Sequence, residues 1–254
     1  MNSLAPSTCD PLEAGIAHHR AGDIVRAEAS YKRALAARPG DPAALHLLGL
    51  AAFDKGRPER ALQLIDKALA RAPGQPDYLH SAGHVLQGMG RLDDAITRYR
   101  EALAADPARV LTLSNLGNAL KRAGRFDEAA TALTRAVELA PDFAEGWSNL
   151  GLVEKERRDV SRALDCFARA AALRPKAPAF PFNSANTLAA AGHREEAVAA
   201  YRATLALDPG HAGAATGLGA MLRQMGRLKD ARTALNDVLA HHPGHDEARW
   251  NLAL

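Results

Sequence analysis

Three sets of side chains in this sequence have the types and spacing to do chemistry. His80 and His84 stand one helical turn apart, and His46 precedes His80 by 34 residues. Imidazoles at this spacing could share a metal ion. Without an ion they offer hydrogen-bonding groups on a solvated surface, and this is the expectation; no metal and no cofactor is expected. The second set is Asn115, Asn118, Asn149, Asn183, Asn186 and Asn251. A carboxamide both donates and accepts, so one Asn can hold a peptide N–H and C=O together. The third set comprises the cations Lys121, Arg122, Lys155 and Arg223, which would tolerate acidic ligands. Phe53 and Phe182, with His80, offer apolar or mixed contacts. A phosphate loop, a zinc-type CxxC pair and a Ser-centred nucleophile motif are all missing from the sequence. Asp127-Glu128 and Glu195-Glu196 fall in first helical turns, where the helix dipole and solubility account for them.

The elements that hold these residues follow from a repeat. Pro39, Pro73, Pro107, Pro141, Pro175, Pro209 and Pro243 are each 34 residues apart. In the same frame lie Gly15, Gly49, Gly83, Gly117, Gly151 and Gly219, with Ala185 in the sixth copy. Seven residues later come Gly22, Gly56, Gly90, Gly124, Gly192 and Gly226, with Arg158 in the fifth copy. An alanine follows at Ala27, Ala61, Ala95, Ala129, Ala163, Ala197 and Ala231. The later glycine predicts the end of a first helix, because glycine enters the left-handed cap conformation at little cost. The earlier glycine and the alanine are too small to keep two helices apart. The recurring proline ends the second helix. Pro42, Pro76 and Pro178 are placed to start the next first helix, where the missing N–H costs nothing.

A 34-residue helix–turn–helix unit with this small-residue pattern resembles the tetratricopeptide repeat. Leu113 to Pro141 is close to the family consensus, and Trp147 stands at the family's usual tryptophan position. The expected organisation is a lead-in over 1–7 and seven repeats over 8–41, 42–75, 76–109, 110–143, 144–177, 178–211 and 212–245. The first helix of an eighth repeat would follow over 246–254. The resemblance implies an all-α, right-handed superhelical solenoid whose first helices line the concave side. Positions 2, 5, 6, 9, 12 and 13 of the repeat share one stripe of that helix.

Position 6 reads Glu13, Leu47, Ser81, Asn115, Asn149, Asn183, Gly217 and Asn251, and position 9 adds Asn118 and Asn186. Asn is a poor helix former, so its recurrence on one face asks for a reason. Packed helices lie about 8–10 Å apart and extended chain advances about 3.3–3.6 Å per residue, so one rung would meet an extended peptide about every third residue. Rungs of this kind read backbone, at about 0.5–1.5 kcal/mol net each. The ladder resembles the inner face of the repeat region in O-linked N-acetylglucosamine transferases and related bacterial repeat-glycosyltransferases at Asn115, Asn149, Asn183 and Asn251. It departs at Glu13, Leu47, Ser81 and Gly217. Repeat domains that clamp the carboxylate tail of heat-shock chaperones need Lys, Lys and Arg where Ser114, Ala179 and Asn183 stand, although Asn118 and Asn149 fit. The clamp is not expected here.

The bulk numbers agree with a folded helical protein. Of the 254 residues 47% are hydrophobic and only 5% aromatic, so Ala and Leu are expected to form most of the core. A net charge of +3 gives no electrostatic case for nucleic acid. Two distant cysteines, Cys9 and Cys166, are no disulfide framework, and Cys166 reads as a small core residue. The start of the chain is unlike a signal peptide and no stretch approaches a membrane span, so a cytoplasmic protein is expected. The chain stops inside an apolar helix carrying Trp250, Leu252 and Leu254, with no polar cap. This leads to two expectations: a longer protein continuing past Leu254, or self-association through the uncapped end.

The leading functional expectation is a non-catalytic scaffold that binds an extended segment of a protein partner in its groove. The alternative is the substrate-recruiting front of a bacterial protein glycosyltransferase, or of a repeat-linked sulfotransferase.

Overall fold

The computed structural model describes residues 10–241 together with residues 244 and 249. Cys9, Trp250, Asn251, Leu252 and Leu254 lie outside the described residues. So do the expected self-association end and, apart from Arg249, the expected eighth repeat.

Among the described residues the chain forms fourteen α-helices and no strand. It divides into two compact units, Met1–Gly124 and Arg125–Leu254. The first holds α1 (Pro11–Arg20), α2 (Ile24–Ala37), α3 (Pro42–Asp54), α4 (Pro58–Arg71), α5 (Pro76–Gly88), α6 (Leu92–Ala105) and α7 (Val110–Arg122). The second holds α8 (Phe126–Leu139), α9 (Ala144–Glu156), α10 (Val160–Leu173), α11 (Ala179–Ala190), α12 (Arg194–Leu207), α13 (Ala212–Gln224) and α14 (Leu228–His241). Within each unit every helix packs on the next. In the first, α1 also touches α3, α3 touches α5 and α5 touches α7; in the second, α9 touches α11 and α11 touches α13. The even-numbered helices within a unit do not approach one another in this way. Each unit therefore curves with its odd-numbered helices on the inside, and a stripe along those helices becomes a continuous inner face.

The helix boundaries have local causes. Side chains of Asp10, Asp23, Asp41 and Asp159 accept backbone N–H bonds at the starts of α1, α2, α3 and α10. Pro42 and Pro76 occupy first helical positions as expected. Pro178 instead precedes α11 as its cap residue, so that helix starts one residue later than the proline suggests. The glycines ending first helices have φ between 70° and 82° at Gly22, Gly56, Gly90, Gly124, Gly192 and Gly226. Arg158 takes the same turn at φ 64°, a conformation that costs a non-glycine residue about 1–3 kcal/mol.

The helices of a hairpin approach closely because a glycine on the first faces a large side chain on the second. A Cβ on Gly83 would lie 2.6 Å from Tyr99 Cε1, one on Gly49 2.8 Å from Ile65 Cγ1, and one on Gly151 2.6 Å from Phe167 Cε1. Alanine and leucine do supply much of the core, but its largest fully buried side chains are Tyr31, Tyr99 and Phe167. The few aromatics thus occupy the hairpin centres. Cys166 is buried, and burial pushes its thiol up to about 11, which leaves it unreactive at neutral pH.

The fifth hairpin departs from the pattern a second time. Glu154 is fully buried at a place where the other first helices carry Ala52, Leu86, Leu120, Leu188 and Leu222, and His18 in α1. Arg157 Nη1 lies 2.7 Å from Glu154 Oε2 and Arg162 Nε lies 3.1 Å from Oε1. The Arg162 approach is off line, so Oε1 is attracted without receiving a hydrogen bond. Arg157 also donates to Asp127 at 2.9 Å.

Two outcomes follow. Gly83→Ala improves helix propensity by about 1 kcal/mol but forces a methyl into Tyr99, at a cost of about 1–3 kcal/mol. The net effect on urea unfolding followed by circular dichroism is destabilising, and it shrinks when Tyr99→Leu is added. For Glu154, desolvation of the carboxylate offsets its attraction to two half-exposed arginines. Glu154→Leu is therefore neutral or stabilising by up to about 1–4 kcal/mol, whereas Glu154→Gln destabilises. Tryptophan fluorescence checks both variants, because Trp147 lies on α9, the helix that carries Glu154.

Candidate functional site

In the first unit the histidines join successive inner helices. His46 on α3 is buried, with Nε2 2.8 Å from Ser81 Oγ on α5 and its ring 4.5 Å from that of Tyr78. His80 on α5 has Nδ1 2.8 Å from Thr112 Oγ1 on α7, and its ring is 5.7 Å from Tyr99. Burial is the main reason that each imidazole is held at about 4, well below its usual range. Both are neutral at pH 7 and their polar atoms are partly spent on neighbouring helices. The expectation of a solvated histidine surface therefore fails at His46, because its ring fills the step between α3 and α5. It holds at His84, which is exposed and stands edge-on to Phe53 at 5.2 Å. Phe53 in turn lies over Gly88, where a Cβ would come within 3.0 Å of its ring.

On α7 the amide pair is differently placed. Asn115 and Asn118 are half-buried on the inner stripe and make no hydrogen bond to any other described residue. Lys121 is half-buried beside them, and Arg122 donates to the Gln87 carbonyl at 3.1 Å, at the end of α5. That bond leaves the guanidinium charge uncompensated.

In the second unit Asn149 is half-buried on α9. Asn183 on α11 approaches Ser148 Oγ at 3.5 Å, the long limit of a hydrogen bond, so its amide remains largely available. Asn186 accepts from the Tyr201 hydroxyl at 2.8 Å. Lys155 lies 3.8 Å from Glu156, and Arg223 is exposed. Phe182 stacks 4.5 Å from His211 and leans over Gly213, where a Cβ would meet its ring at 3.1 Å. A Cβ on Gly217 would lie 2.6 Å from Tyr201 Cε1. The ladder is thus interrupted at Gly217 because Tyr201 occupies the space of a rung. Asn251, the last rung expected from the sequence, lies outside the described residues.

One set of contributors is absent from the sequence reading. The hydroxyls of Tyr31, Tyr99 and Tyr201 pass between the helices of their hairpins and meet inner-helix groups: His19 Nδ1 at 3.1 Å, Gln87 Oε1 at 2.9 Å and Asn186 Oδ1 at 2.8 Å. The recurrence of tyrosine at one position of the 34-residue frame was the available signal. Among the described residues no group of three His, Cys, Asp or Glu side chains could hold a metal ion, and no helix is long and apolar enough to cross a membrane.

The inner face is therefore neutral over much of its length, carries available amides, and has cations at the ends of its helices. Such a surface can hydrogen-bond a polypeptide backbone.

Known proteins of this build share the fold. A crystal structure of YrrB, a tetratricopeptide protein with an unusual peptide-binding site, is 23% identical, with a TM-score of 0.63 over 72% of this chain and 95% of that one. PilF of Pseudomonas aeruginosa is 24% identical, with a TM-score of 0.66 over 85% of this chain and 99% of that one. The C-terminal part of a repeat protein from Cytophaga hutchinsonii is 15% identical, with a TM-score of 0.75 over 95% of this chain and 99% of that one. At these identities the likeness is one of fold. No curated protein matches the sequence. The tetratricopeptide repeat family matches residues 12–76, 79–142, 114–178 and 188–254. With hairpins of this geometry over nearly its whole length, the chain belongs to the tetratricopeptide repeat family.

Proposed function

We propose that this chain is a protein-interaction scaffold that holds an extended segment of another polypeptide along the inner face of its odd-numbered helices. The observation that carries this reading is the pair Asn115 and Asn118. Both lie half-buried on the inner stripe, and neither has a hydrogen-bond partner among the described residues. A passing peptide N–H and C=O satisfies them. His84 and Phe53 add an aromatic contact on one side of the pair in the first unit, and Lys121 and Arg122 add positive charge on the other. In the second unit Asn183, with Asn149 and Asn186 beside it, offers the corresponding surface, and Lys155 and Arg223 carry its charge. YrrB, a protein of the same fold, has a peptide-binding site.

Backbone amide contacts alone give weak and sequence-tolerant capture, so selectivity falls to His84, Phe53 and the cations. Acidic segments are favoured, and binding weakens with salt because these charges are near water.

The partner segment is found by crosslinking the full chain in lysate of its source cell and mapping the crosslinked peptide. Binding of the synthetic segment is then measured. Asn115→Ala with Asn118→Ala removes about two backbone bonds at about 0.5–1.5 kcal/mol each, so affinity falls by about 5- to 150-fold with the helical circular dichroism unchanged. Binding that is insensitive to the double substitution overturns the assignment of these amides to the ligand.

A further inference from the structure

His46 and His80 have a property that peptide binding does not use. Each is a hydrogen-bonding link between successive inner helices, His46 from α3 to α5 and His80 from α5 to α7. The positively charged form of either ring has no counter-ion in contact. The groups around His46 are Asp77, Tyr78 and His80; those around His80 are Asp77, His84, Tyr99 and Arg109. Asp77, the one carboxylate among these groups, is engaged by Arg109 at 2.5 Å. Among the described residues the second unit has no such arrangement. Its equivalent positions carry Ser148, Phe182 and Thr216. His193 is exposed, and His211 uses Nδ1 to cap the start of its own helix. Elsewhere in the first unit His19 differs in its surroundings: its Nε2 faces the Asp54 carboxylate on α3 at 2.7 Å, a contact that neither His46 nor His80 has.

We propose that His46 and His80 make the first unit an acid-opened half of the chain: protonation of these two imidazoles unstacks α3, α5 and α7 from one another while the second unit keeps its fold. The sign follows from linkage. The unfolded imidazoles bind protons near pH 6.5 and the folded ones near 4, so the stability they contribute is complete above about pH 6.5 and is lost as pH falls toward 4. Over that window opening takes up two protons, so the opening constant rises about a hundredfold per pH unit. This inference does not rest on the peptide reading, since it concerns the free chain.

Peptide-resolved hydrogen exchange of the full chain, corrected for the intrinsic pH dependence of amide exchange, tests it between pH about 7 and 4.5. The expected result is a steep loss of protection in α3, α5 and α7 with α10 and α12 nearly flat. His46→Gln with His80→Gln abolishes the dependence, and each single substitution reduces it to about tenfold per pH unit. Replacing exposed His84 with Gln leaves it unchanged. Equal acid sensitivity of both units, protection of α3–α7 that persists to pH 4.5, or single variants as steep as the parent would each overturn the proposal.

Discussion

The close approach of the two helices within each hairpin is the constraint on which the rest depends. It exists because one position of the first helix lacks a side chain. Gly15, Gly49, Gly83, Gly151 and Gly219 leave room for Tyr31, Ile65, Tyr99, Phe167 and Leu235, each with a carbon 2.4 to 3.0 Å from where a Cβ would stand. Such a contact buries a large ring without an intervening layer, and it is why a chain with so few aromatics forms a core at all. It also links core to surface. A tyrosine lying against that glycine carries its hydroxyl on to His19 or Gln87 of the first helix, four residues after the glycine. The packing rule and the polarity of the inner face are therefore one feature seen from two sides.

The sixth hairpin shows what happens when the rule is relaxed. Ala185 replaces the glycine, and Tyr201 lies against Gly217 of the next first helix. Gly217 stands where the fourth, fifth and sixth repeats place Asn115, Asn149 and Asn183. A rung is exchanged for a packing contact, and Phe182 leans over Gly213 in the same neighbourhood. The inner face of α13 is consequently covered by the protein's own aromatics. This places the available amides on α7 and α11, and makes Phe182 a packing residue first and a ligand contact second.

How much of this was legible in the sequence depended on whether a feature repeats. The period, the helix ends at positive-φ glycines and the hairpin pairing all recur, and recurrence separates a rule from an accident. Even Arg158 was visible as a missing glycine, and the backbone keeps the glycine's conformation there. The inner face was less legible because it is made of exceptions. Helical spacing places His46, His80 and His84 on one stripe, but it does not reveal that Ser81 and Thr112 on the next helices take up two of the three rings. Glu154 was equally hidden. A lone carboxylate in an apolar position resembles a surface residue until Arg157 and Arg162 are seen beside it.

These exceptions are distributed unevenly, and that gives the two units different physical characters. The first unit spends its irregular positions on imidazoles, whose charge changes within the range of ordinary acidity. The second spends them on a buried carboxylate gripped by two arginines and on glycines filled by tyrosine and phenylalanine, contacts that do not depend on histidine protonation. A repeat array built from one rule need not respond uniformly. Stability in such arrays is close to a sum of hairpin and neighbour terms, so a change confined to the α3–α5 and α5–α7 steps acts there without being averaged over the chain. Keeping a glycine against a large side chain in five of the seven hairpins leaves the inner stripe free to vary in this way, because the residues that vary are not those that bring the helices together.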